Sequence, residues 1–248
     1  MKYSVLTYIF GDYEHIHEVS NKQDDVEYVL VTDNMNIVSN TWKVVYWDGV
    51  DMSDFDKVCY VRYHPFEFVT TDICVKIDAS IIVRNGDLSP IVNTFKDYDI
   101  CLEIHPSRNL LYDEYNVWVD YRAYPRVLAD NAYHTIMKMN YDEHYKGLYA
   151  LTFSIQKNTN ITKSINELTY SLIRRMDEGY CHRVDQIIYS FVLNKFFDYV
   201  KAMPVAEELI TNSKYFQWCY HGTEYPIPVC DNVIEPYLFN KPTETIKF

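Results

Sequence analysis

The segment that most constrains the fold of this chain is 72–84, where a strand-like run leads directly into a carboxylate and a hydroxyl. β-Branched residues occupy every second position from Ile73 to Ile77, which is the period of two that a β-strand produces, and we expect them to point inward. Asp78 and Ser80 follow at the end of this predicted strand. Ligands of open α/β sheets bind beyond the carboxyl ends of the strands, so the pattern favours Asp78 as a ligand-binding residue. A structural alternative is that Asp78 only caps the next segment.

The same arrangement recurs earlier in the chain. The segment 3–10 is a predicted first strand that turns at Gly11, and we expect Thr7 and Phe10 to lie near a bound nucleotide. The segment 28–32 is a second predicted strand and ends in Asp33. Further strands are predicted at 42–47, 58–61, 99–104, 147–155 and 200–205, and helices at 89–95, 109–121, 126–139 and 165–176, with a last helix opening near 183–186.

This alternation of strands and helices indicates the α/β class, with a mixed sheet flanked by helices and an aromatic-rich C-terminal tail. The 248 residues suit one domain. We expect a nucleotide-binding half in 1–105 and an acceptor-side half with the tail in 106–248. None of the six cysteines forms a Cys-x-x-Cys pair, so we read them as reduced thiols, and no stretch is apolar enough for a membrane span. The expected location is cytoplasmic.

The formal net charge of −12 counts against a broad nucleic-acid-binding face. A nucleotide diphosphate held by such an acidic protein needs local positive charge, from a divalent cation or from placed basic side chains. The candidate basic residues are Arg62, Lys76, Arg84, Arg108 and Arg183.

Several short segments together resemble a domain family of uncharacterised function that contains plant proteins regarded as glycosyltransferases, linked to seed mucilage and to turgor control, and many bacterial members. They are Ile-Phe-Gly-Asp-Tyr at 9–13, Val-Thr-Asp-Asn at 31–34, Arg-Tyr-His-Pro at 62–65, Ile-Asp-Ala-Ser-Ile at 77–81, His-Pro-Ser-Arg at 105–108 with Tyr112 and Glu114, and Arg-Val-Asp-Gln at 183–186. The resemblance spans most of the chain through the order and spacing of these segments.

The resemblance implies a GT-A-like fold and transfer of a sugar from a nucleotide-sugar donor. It places Asp78 in the Asp-x-Asp position of GT-A glycosyltransferases, with Ser80 where the second carboxylate usually stands. A Mn²⁺ or Mg²⁺ ion is then expected on Asp78, with Ser80 acting directly or through water and His221 as a third ligand. His221 precedes a glycine, and the alternative is that it is a surface or loop residue that binds no metal.

Asp185 and Gln186 are the expected catalytic residues, at the start of a predicted amphipathic helix. An acidic residue in a first helical turn is also favoured by the helix dipole alone. Arg108 and Glu114 are expected to present a paired cation and carboxylate to a diphosphate or a sugar hydroxyl, although a solvated helix face explains that pair equally well.

The sequence therefore predicts a glycosyltransferase that uses a nucleotide-sugar and an unidentified hydroxyl acceptor. That acceptor is a glycan or, as in phage enzymes, modified DNA. A noncatalytic sugar-binding or nucleotide-sugar-binding protein stays open, because Ser80 replaces a carboxylate. A nucleotidyltransferase is disfavoured, since the turn after the first strand has a single glycine and no adjacent basic residue.

Overall fold

The protein is described by a computed structural model, which covers residues 2–11, 13–105, 108, 110–117, 119, 126–139, 148–177, 185–196, 202–205 and 213–219. The strands in these ranges are β1 (Ser4–Ile9), β2 (Glu27–Thr32), β3 (Lys43–Tyr46), β4 (Ile73–Ile77), β5 (Ile81–Val83), β6 (Ile100–Ile104), β7 (Tyr149–Lys157), β8 (Ala202–Val205) and β9 (Phe216–Trp218). The α-helices are α1 (Asp54–Tyr63), α2 (Ser89–Thr94), α3 (Leu111–Asn116), α4 (Arg126–Lys138), α5 (Asn160–Asp177) and α6 (Asp185–Lys195).

Seven of these strands form one mixed sheet in the order β3-β2-β1-β4-β7-β6-β8. All pairs are parallel except those of β7, which runs antiparallel to both β4 and β6. The strands β2 and β3 lie on one side of β1, whereas β4, β7, β6 and β8 lie on its other side. The junction between β1 and β4 is therefore the topological switch point, where open α/β sheets form a ligand crevice at the carboxyl ends of their strands.

The sheet is covered on both faces. Tyr3, Val5, Ile77 and Phe153 belong to the core on the side of α2 and of the small antiparallel sheet β5–β9. On the other side, Leu6, Tyr8 and Cys74 pack with Val61 of α1. The helices α4, α5 and α6 bury Ala132, Ile165 and Ile188 against the same side near β6 and β7.

The expected alternation in β4 is only half correct. Ile73, Val75 and Ile77 are buried as predicted, but Cys74 and Lys76 are buried as well. Because β4 lies in the middle of a sheet covered on both faces, neither of its sides reaches solvent.

The α/β class with a mixed sheet flanked by helices is confirmed, and most predicted elements lie within a few residues of their predicted bounds. The strand predicted at 58–61 is wrong, because these residues belong to α1. That helix opens with a capping box, in which Ser53 accepts from the Asp56 amide at 3.1 Å and the Asp56 carboxylate accepts from the Ser53 amide at 3.4 Å. The short strands β5 and β9 were not predicted.

No helix in the described part of the chain is long and apolar enough to cross a membrane. The tail after 219 lies outside the described residues.

Candidate functional site

Four polar side chains converge at the switch point of the sheet, and we call Tyr8, Arg62, Asp78 and Asp185 the Arg62 cluster. The Arg62 guanidinium donates through Nε to the Tyr8 hydroxyl at 2.9 Å, through Nη1 to Asp185, and through Nη2 to Asp78 Oδ1 at 3.4 Å. The Tyr8 hydroxyl donates to the same Asp78 oxygen at 3.1 Å. One cation thus joins two carboxylates that stand 107 residues apart in the sequence, since 185 minus 78 is 107.

The fold delivers each member of the cluster from a different element. Tyr8 is the penultimate residue of β1, and Asp78 directly follows the neighbouring strand β4. Arg62 lies in the last turn of α1, and Asp185 is the first residue of α6. The Tyr63 hydroxyl also reaches the Asp185 backbone carbonyl, at 3.5 Å. The start of α6 is therefore held against the end of α1.

Burial and charge set the protonation of Arg62 and Tyr8 in this cluster. Burial alone lowers the pKa of Arg62, but Coulombic interactions with Tyr8, Asp185 and Asp78 outweigh it, so that this pKa lies well above its ordinary value. Burial raises the pKa of Tyr8 well above its ordinary value, although Arg62 opposes this. At neutral pH the cluster contains a charged guanidinium and a neutral phenol that both donates and accepts.

A second basic side chain, Lys76, lies on the same face of β4 as Asp78 and two residues before it. Lys76 is only 1% exposed, and its Nζ has no hydrogen-bond partner among the described residues. Burial, followed by repulsion from Arg62, lowers the pKa of Lys76 to about 7. The sequence named Lys76 as a basic candidate for the nucleotide, and the structure places it beneath the cluster, away from solvent.

The carboxyl ends of β1 and β2 carry two further predicted residues. Asp33 follows β2 and accepts from Lys57 Nζ at 2.6 Å. This hydrogen bond is the main reason that the pKa of Lys57 is raised. Phe10 follows β1, is buried, and packs edge-on against Trp47 with 5.9 Å between ring centroids. Phe10 therefore shapes the edge of the crevice from within the core.

Two of the residues predicted to hold a metal ion, Asp78 and Ser80, already have hydrogen-bond partners within the protein. Asp78 Oδ1 already accepts from Tyr8 and Arg62. The Ser80 hydroxyl is buried and accepts from Trp218 Nε1 at 3.2 Å, while its backbone carbonyl accepts from the Cys219 amide. Ser80 thus anchors the small β5–β9 sheet.

Metal ligation normally needs several converging side-chain donors or open positions on the ion. No group of three or more His, Cys, Asp or Glu side chains with a metal-binding arrangement occurs in the ranges that the structure describes. The predicted third ligand, His221, lies outside those ranges.

Other predicted residues lie apart from the cluster. Thr7 is in the middle of β1, buried, on the opposite face of the strand from Tyr8. Arg108 and Glu114 form an ion pair with 2.6 Å between Nε and Oε2, and Glu114 is 1% exposed. Glu114 is therefore buried within this pair, while the Arg108 side chain is 20% exposed.

Gln186 adjoins the cluster in the first turn of α6. Its backbone carbonyl accepts from the Ser190 hydroxyl, and its buried Nε2 has no partner among the described residues. Arg183 lies outside the described residues.

Sequence reasoning missed Tyr8 and Tyr63. A tyrosine in a strand is usually taken as core, since its ring is largely apolar. For Tyr8 a signal was present, because it stands near the end of β1 on the strand face opposite Thr7 and Ile9. For Tyr63 no signal existed, because its partner is a backbone carbonyl on a helix that is remote in sequence.

A separate groove of about 740 Å³ runs between α1 and α5. His64 and Glu167 contact each other across it, with 2.9 Å between Nε2 and Oε2. No member of the Arg62 cluster lines this groove, so it is a competing location for a ligand.

Comparison of the chain with protein-family models found no match, and comparison with curated proteins found none either. The family resemblance described above therefore stays a prediction. The fold and the cluster define an open, mixed α/β domain with charged side chains at its switch point.

Proposed function

We propose that this protein is a glycosyltransferase of GT-A-like fold that takes its sugar from a nucleotide-sugar. The observation that carries the proposal is the convergence of Tyr8, Arg62, Asp78 and Asp185 at the carboxyl ends of β1 and β4. In an open α/β sheet this is the position of a nucleotide crevice. The family resemblance supports the same assignment.

Glycosyl transfer makes three demands that groups at this position meet. The departing diphosphate needs positive charge, which the Arg62 guanidinium supplies. The sugar carbon develops positive charge in the transition state, and a carboxylate such as Asp185 stabilises it or accepts the proton of the acceptor hydroxyl. The donor must also be oriented, and the neutral Tyr8 hydroxyl can donate or accept for that purpose.

A second candidate function is nucleotide-sugar binding without catalysis. It is supported by one observation, that both carboxylates of the cluster are already bound to Arg62. A carboxylate oxygen that already accepts from a guanidinium is less available to accept the proton of an acceptor hydroxyl. Both functions predict donor binding, and only the first predicts turnover.

The test is a panel of nucleotide-sugars, measured by thermal shift and by release of the free nucleotide. A donor that binds the native state alone raises the melting temperature. We expect one donor to do so and to release nucleotide slowly even without acceptor, with both effects lost in Asp78→Asn. Glu167→Gln, in the separate groove, is the matched control and should behave as wild type. Binding without any nucleotide release, with or without a panel of sugar acceptors, would favour the noncatalytic function. No binding by any donor would contradict both functions.

A further inference from the structure

One oxygen of each cluster carboxylate, and the Ser80 hydroxyl, already accept from donors of the protein. Asp78 Oδ1 accepts two hydrogen bonds, from Tyr8 and from Arg62. Ser80 is turned toward Trp218, with its hydroxyl 3.2 Å from the indole nitrogen. Asp185 is bound by the Arg62 guanidinium. The two carboxylates are thus arranged around the Arg62 guanidinium.

Arg62 has the geometry of a fixed, bridging cation. Its Nε, Nη1 and Nη2 each bond a different residue, namely Tyr8, Asp185 and Asp78. A guanidinium is planar, remains charged, and presents five N–H donors in a rigid fork. A metal ion between the two carboxylates would displace the Arg62 guanidinium from them. The guanidinium would then remain buried without its counter-charges, which is strongly unfavourable.

The same guanidinium retains donors for an anionic ligand. Three of its five N–H groups are used in the cluster, and one hydrogen remains on each of Nη1 and Nη2. Beneath it, the Lys76 Nζ is buried and has no hydrogen-bond partner in the described part of the chain. Arg62 can therefore donate to a diphosphate, while Lys76 lies beneath it, away from solvent.

We infer that Arg62 is the resident cation of this site, in place of a divalent metal, and that the protein binds a nucleoside diphosphate without Mn²⁺ or Mg²⁺. The identity of the ligand rests on the proposed function. The position of the cation rests on the contacts of Arg62 alone.

The first experiment is calorimetric titration of UDP and of GDP into wild-type protein, in Mn²⁺ and in EDTA. We expect the tighter of the two nucleotides to bind with dissociation constants that agree within about twofold in the two buffers. Binding that is about tenfold or more tighter in Mn²⁺ would overturn the inference. Arg62→Lys keeps one positive charge but cannot bridge three partners, so it should weaken nucleotide binding equally in both buffers. An effect of this variant in Mn²⁺ buffer alone would also contradict the inference.

The second experiment measures Mn²⁺ itself, by electron paramagnetic resonance, in wild-type protein without nucleotide. We expect wild type and Asp78→Asn to bind the same amount of Mn²⁺, because none binds at Asp78. Bound Mn²⁺ that is lost in Asp78→Asn would overturn the inference, whether or not any Arg62 variant folds. If Arg62→Met folds, it should acquire Mn²⁺ binding, because Asp78 and Asp185 then face each other without a cation. Failure of that folded variant to bind Mn²⁺ would contradict the inferred position of Arg62 between Asp78 and Asp185.

The two experiments separate the inference from the proposed function. If neither nucleotide binds in either buffer, the proposed function fails, and the Mn²⁺ measurement still decides whether Arg62 occupies the position of the cation.

Discussion

Replacing Lys76 by methionine should change how the stability of the protein depends on pH. Lys76 is 1% exposed, and burial, with repulsion from Arg62, lowers its pKa from the ordinary 10.5 to about 7. Below pH 7 both the folded and the unfolded chain carry the lysine proton, and the folded state bears the whole penalty of the buried charge. As the pH rises from 7 toward 10.5, the folded state loses this proton first, so the penalty declines and the protein becomes more stable.

The size of the effect follows from proton linkage. A difference of 3.5 between 10.5 and 7 corresponds to about 5 kcal/mol of folding free energy. Each pH unit over which the unfolded state holds one extra proton contributes about 1.4 kcal/mol, and near pH 7 the excess is only about half a proton. From about pH 7 to about pH 9, Lys76 should therefore add about 2 kcal/mol to the free energy of unfolding of wild type, and Lys76→Met should lack this rise.

The assay is urea unfolding followed by tryptophan fluorescence at both pH values. The quantity of interest is the difference between wild type and Lys76→Met, because contributions of thiols and tyrosines that titrate in the same range cancel in it. Lys43→Met is the control, since Lys43 has a side chain 59% exposed and should show no such pH effect. An identical pH dependence in wild type and Lys76→Met would contradict this prediction, because it would show that the buried amine carries no penalty.

The remaining predictions concern catalysis and local stability. Asp185→Asn keeps the size of the side chain but removes the charge that faces Arg62, so we expect kcat to fall by about 100-fold or more with little change in donor affinity, measured by steady-state kinetics and calorimetry. Ser53→Ala removes the N-cap of α1 and should cost about 1 kcal/mol in urea unfolding. Gly86→Ala should cost about 1–3 kcal/mol, because the new methyl group would lie 2.5 Å from the Tyr28 hydroxyl.

Each of these has an outcome that contradicts it. A wild-type kcat in Asp185→Asn would remove Asp185 from the mechanism and leave it as a residue of the first helical turn. Ser53→Thr retains a capping hydroxyl and is the control for Ser53→Ala, so equal losses in both variants would refute the capping argument. A Gly86→Ala protein as stable as wild type would mean that the loop around residue 86 shifts at no cost.

The strands that carry the site were predictable because local patterns specify them. The runs that became β1, β2 and β4 are rich in β-branched residues, and polar groups follow them, so Asp33 and Asp78 were placed at strand ends correctly. The apolar residues at 58–61 suggested a strand, and the helical answer lay just upstream in the Ser53–Asp56 capping box. The strands β5 and β9 have three residues each, too few for a period to be recognised.

The contacts of the cluster were less accessible to sequence reasoning. Arg62 and Asp185 are 123 residues apart, and only the packing of α1 against α5 and α6 brings them together. Sequence reasoning named Arg62, Asp78 and Asp185 as separate candidates and expected a metal ion between the nucleotide-sugar and the protein. It could not indicate that Arg62 bridges the two carboxylates, or that Ser80 faces Trp218 instead of the crevice.

Binding of the ligand at the Arg62 cluster can be located by hydrogen exchange with mass spectrometry, with and without the nucleotide-sugar that gives the largest thermal shift. We expect slower exchange on binding in peptides that contain the end of β1, the residues after β4 and the first turn of α6. We expect no change in the part of α5 that lines the separate groove, from Lys163 to Arg175. Protection confined to that part of α5 and to His64 would place the ligand between α1 and α5 instead of at the Arg62 cluster.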